Sequence, residues 1–105
     1  MNPRVFVSQE HGQLDYTPAE SFGDVVFLTR LDWSPVRSSL TNTALVQEIR
    51  DRLRDFRPDE DFITTSGSPV VAGIVFMILR EKTDSVNVLR WSNRDHRYQH
   101  LVINV

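Results

Sequence analysis

Cysteine is absent from the 105 residues, which excludes disulfides and thiolate metal sites. Long apolar runs are missing too. The longest, residues 70–79, falls short of the roughly 20 residues a membrane-spanning helix needs. The first residues, Met1-Asn2-Pro3-Arg4-Val5, carry no secretory core. A cytoplasmic location with no membrane partner is the expectation. Glycine is scarce, with 4 residues, and neither a Walker pattern nor Gly-x-Gly-x-x-Gly occurs. Lysine is nearly absent: Lys82 stands alone beside eleven arginines. The net charge of −2 provides no field for nucleic acid, so nucleic acid is not an expected partner.

What remains is ordinary for a globular chain, with 40% hydrophobic and 25% charged residues. The length predicts one domain spanning 1–105. Residues 4–8 read as a short strand, and 24–29 as a clearer one. Its continuous Val25-Val26-Phe27-Leu28 suits a strand covered on both faces. The polar stretch 11–22, with Gly12 and Pro18, reads as a loop. So does 32–41, with Pro35 and three serines.

Leu45, Ile49, Leu53 and Phe56 recur at helical spacing and predict a first helix over 43–56. Thr41 or Asn42 is placed to cap it, and Pro58 to end it. Residues 62–65 form the next strand. Ser68 followed by Pro69 is a strong helix start, and the helix should run to about 81 or 82. This second helix is apolar on every side, so it needs cover from several directions. The sheet and first helix supply part; a second subunit supplies the rest, which predicts a homodimer. Residues 86–91 and 97–104 close the chain as an antiparallel hairpin.

The order is β-β-α-β-α-β-β. It predicts an α/β fold: a small Rossmann-like open sheet of about three parallel strands, an antiparallel C-terminal hairpin strand and two main helices. Ligands of such sheets bind beyond the carboxyl ends of the parallel strands. Arg30, Asp32, Ser66, Gly67, Ser68 and Arg94 all follow strands on that edge. Gly67 permits close backbone approach, the helix start offers N–H donors to an anion, and Arg30 or Arg94 can pair a phosphate. Trp33 and Trp91 can stack on a base or serve as core or interface residues; for Trp91, which shares a strand face with Leu89, packing is the favoured role.

Other constellations carry less. His96 and His100 are four apart on a hairpin, where same-side neighbours are two apart, so no metal site is expected. Asp95-His96 reads as a solvated turn before an acid/base pair, and Asp59-Glu60-Asp61 as a solvated loop before a cation site. Arg90, Arg94 and Arg97 with Trp91 and Tyr98 suggest a stacking platform, but on an acidic chain. No catalytic group and no cofactor is implied.

The turn Thr65-Ser66-Gly67-Ser68-Pro69, followed by its apolar helix, resembles the ligand loop of small Rossmann-like sensor domains. These include the dimeric domains that bind cyclic oligonucleotides in CRISPR-associated proteins. The resemblance is confined to that turn and helix. In size the chain is similar to small accessory proteins of phages and mobile elements. The expectation is therefore an accessory protein binding a phosphate- or nucleotide-like anion at the carboxyl edge of its sheet. The alternative is a protein–protein interaction module or inhibitor using an exposed apolar helix or edge strand.

Overall fold

The computed structural model describes residues 2–12 and 14–105. In chain order they form β1 (Arg4–Val7), β2 (Asp24–Phe27), α1 (Leu40–Arg52), β3 (Phe62–Thr64), α2 (Pro69–Arg80), β4 (Ser85–Ser92) and β5 (Arg97–Asn104). A 3-10 helix, Thr17–Ser21, lies between β1 and β2. The sheet order is β2-β1-β3-β4-β5. Strands β1 to β4 are parallel, and β5 runs antiparallel to β4. The α/β fold is the expected one, with four parallel strands where the sequence suggested three.

The extra parallel strand is β1. Its crossover to β2 passes through the 3-10 helix, which is too short to show a helical period. The segment 11–22 is therefore more than a loop: Ala19 is fully buried against Val5 and Leu89.

Side-chain alternation splits the core in two. Phe6, Ile63 and Val88 face the helices and pack with Leu45, Ile49, Val71 and Val75. Val5, Val25, Phe62 and Leu89 face the other way, beneath Phe22 and Ala19. Aromatic rings cover this second face. Phe22 meets Phe62 and Tyr98 edge-on at centroid distances of 5.7 and 6.3 Å.

Helix α1 starts and stops earlier than its periodicity suggested. Neither Thr41 nor Asn42 caps it; Ser39 holds the N-cap position, without a side-chain bond. Asn42 is buried and clamps the preceding connection instead. It accepts from Ser34 N at 2.7 Å and donates to Ser34 O at 2.9 Å. At the other end Lys82 Nζ donates to Leu53 O at 2.5 Å and Arg54 O at 2.8 Å. The sole lysine thus neutralises the carboxyl end of α1. Helix α2 begins as predicted, with Ser68 Oγ accepting from Val70 N at 3.2 Å and Val71 N at 3.4 Å.

Asp61 departs most from its sequence reading. Its side chain is 0% exposed, so it is no solvated loop residue. Arg4 N and Arg57 N each donate to it at 2.9 Å. The Arg57 guanidinium adds a bond at 2.9 Å and that of Arg4 one at 3.2 Å. The carboxylate ties the amino ends of β1 and β3 together.

Candidate functional site

The winding direction reverses beside β1, so the carboxyl ends of β1 and β3 flank the crevice where ligands of open α/β sheets bind. The molecule fills much of that crevice itself. Ser8 Oγ donates to Ser66 O at 3.0 Å and accepts from Ser66 N at 2.9 Å. Gln9 Oε1 accepts from Ser68 N at 2.7 Å, while Gln9 Nε2 donates to Leu31 O at 2.8 Å. Gly67 adopts φ 75°, and a Cβ there would lie 2.0 Å from Gln9 Oε1. The close approach expected at Gly67 is therefore made by a side chain of the same protein. Gln9 was not singled out from the sequence. Its only signal is a polar residue two positions after β1.

Three predicted residues, Ser66, Gly67 and Ser68, sit together at this crevice. The others lie apart. Arg30 follows the edge strand β2, is 80% exposed and pairs with Glu10 at 2.9 Å. It lines a cavity beside α1 with Glu48 and Arg52. Asp32 Oδ1 accepts from Trp33 N at 2.8 Å. Arg94 occupies the exposed turn between β4 and β5. In that turn His96 takes a left-handed φ of 52°, as a tight hairpin turn allows.

A second feature of this edge is an aromatic cleft of about 140 Å³ on the face of the 3-10 helix. Tyr16, Trp91 and Tyr98 line it, with Leu14, Asp15 and residues 64–66 at the carboxyl end of β3. Tyr98 meets Trp91 edge-on at 5.1 Å. Tyr16 packs on Phe27 at 4.9 Å, and its hydroxyl bonds Ser66 Oγ at 2.8 Å. Burial pushes the Tyr98 phenol up, against the opposing pull of Thr64; Tyr16 and Asp15 push it further.

The third feature is apolar. On α2, Val70 is 55% exposed and Met77 is 74% exposed. Gly73, between them, is exposed, and a Cβ there would meet nothing within 4 Å. No helix follows β4, so the sheet beside α2 stays open there. A trough of about 250 Å³ lined by Phe76, Leu79, Val86, Ile103 and Val105 results. Among the described residues, no group of three or more His, Asp or Glu is arranged to hold a metal ion. Nor is any described helix long and apolar enough to cross a membrane.

These features define a small α/β protein with a self-filled crevice, a minor aromatic cleft and an uncovered apolar helix face. The chain belongs to the phage Pam3 gp32-like protein family, whose model matches residues 3–105. No curated protein and no solved structure matches it.

Proposed function

We propose that this chain is a phage accessory protein that works by protein–protein contact, and that its α2 face binds a second copy of itself. Gly73 carries the reading. Glycine in an exposed helix interior costs about 1 kcal/mol relative to alanine. The monomer has open space at that position, so nothing within it requires the missing side chain. A helix packed closely across α2 would require it.

The pattern is also self-complementary. Val70 and Met77 lie three residues outside Gly73 and Ile74 on either side. Two antiparallel copies related by a twofold axis at Gly73–Ile74 bring each Val70 against the other copy's Met77. The same arrangement sets Glu81, at the carboxyl end of one α2, near the positive amino end of the other. The apolar trough between α2 and β5 borders this face and extends it. In this reading the protein works in the cytoplasm.

Light scattering over a concentration series tests this. The expected result is twice the chain mass at tens of micromolar. Met77→Glu should give the single-chain mass with an unchanged circular dichroism spectrum. A wild-type monomer at several hundred micromolar would contradict the proposal.

The anion reading fits less well, because Gln9 already occupies the crevice beside Ser66. An anion held by Ser66, Gly67, Ser68, Arg30, Asp32 and Arg94 together would need Gln9 to leave Ser68 N. It would also need Arg30 to leave Glu10.

A further inference from the structure

The cleft at the carboxyl edge has a chemistry of its own, independent of the α2 face. Three aromatic side chains wall it, and each is held by a second contact. The Tyr16 hydroxyl accepts from His11 N at 2.9 Å. Trp91 Nε1 donates to Asn93 Oδ1 at 3.1 Å. Tyr98 stands against Phe22 at 6.3 Å. The Trp91 and Tyr98 ring planes meet at 71°, which makes two walls of a corner rather than a stack. The rings are thus set in place before any ligand arrives.

The charge in the cleft has one sign. Among the described residues, Asp15 is the only charged one lining it, and no Arg or Lys does. Asp15 Oδ1 accepts from Thr17 N at 2.9 Å. A carboxylate has two oxygens with several acceptor sites, so this bond leaves capacity to spare. Aromatic faces carry negative quadrupole potential and attract cations within about 6 Å of the ring centroid. The cleft volume of about 140 Å³ is on the scale of a cavity of about 150 Å³ that holds one benzene-sized guest. A phosphate would meet the carboxylate with no cation beside it.

We propose that Tyr16, Trp91, Tyr98 and Asp15 form an aromatic cage for a quaternary or methylated ammonium group. Two sources share that chemistry: a free choline-like molecule, and a methylated lysine on another protein. The rings supply cation–π attraction, and Asp15 supplies the countercharge at the rim. Trp91, 39% exposed, is the wall a ligand would cover.

The test is an NMR titration of the ¹⁵N-labelled full chain at matched ionic strength. The probes are choline chloride, its neutral isostere 3,3-dimethylbutan-1-ol, uridine monophosphate and a peptide carrying trimethyllysine. Choline or the peptide should shift the Trp91 indole signal saturably and leave that of Trp33 in place. The neutral isostere should bind roughly tenfold more weakly. Asp15→Asn, an exposed substitution, should weaken choline severalfold with the spectrum otherwise intact, and Trp91→Leu should abolish the response. Tighter binding of the peptide assigns the cage to a protein tail, and tighter binding of choline to a free small molecule. Equal binding of the neutral isostere, a shift by the nucleotide alone, or no shift by either cation overturns the proposal.

Discussion

Removing the Asp61 carboxylate leaves Arg4 and Arg57 without the group that joins them. Burial alone pushes this carboxyl up, but the bonds from Arg57 and Arg4 outweigh it and hold it below the ordinary 3.8. A depressed folded value means the stabilisation is complete above pH 3.8 and is lost as pH falls through the lower folded value. Asp61→Asn should cost about 3 kcal/mol at neutral pH. The loss should begin to shrink once both proteins are melted below pH 3.8. Urea melts at pH 7 and pH 3 check both statements; an equal cost at the two values contradicts them. Gly67→Ala is expected to cost roughly 1–2 kcal/mol from the left-handed backbone and to push Gln9 away from Ser68 N. Thermal melts together with the Ser68 amide shift report both. Ser68→Ala should cost about 1 kcal/mol through the lost cap.

Elements differed in how much of themselves they wrote into the sequence. Helix α2 announces its start because Ser68-Pro69 satisfies its first donors locally, and local chemistry is readable without a fold. Helix α1 shows its buried stripe equally well, yet its ends are set at a distance. Lys82 reaches its last carbonyls from beyond α2, and Asn42 turns away from the cap to hold Ser34. The 3-10 helix was illegible because one turn has no period. Gln9 was missed for a similar reason: its two partners, Ser68 N and Leu31 O, lie 59 and 22 residues away. The residues of the expected anion site all follow strands at one edge of the sheet, but strand order, which no local pattern encodes, separates Arg30 from Ser66. At this scale Gly73→Ala should raise the intrinsic stability of α2 by about 1 kcal/mol while weakening association. Urea melts at low and high protein concentration would show the two effects moving in opposite directions.

At the scale of the whole molecule, an all-apolar helix in a small domain poses a covering problem. The sheet and α1 bury Val71, Val75, Ile78 and Leu79, and Val70 and Met77 are left over. A third helix after β4 would have closed the adjacent trough, but the chain turns directly into β5. The proposed dimer answers both deficits with one contact. The most direct measurement uses the absence of cysteine: Ile74→Cys places a lone thiol beside the proposed twofold axis and leaves Gly73 unchanged. Under mild oxidation, non-reducing electrophoresis should show near-complete conversion to a covalent dimer. A Thr17→Cys control, on the opposite face, should stay monomeric. Ile74→Cys chains that remain single, or that cross-link no faster than the control, would contradict the account.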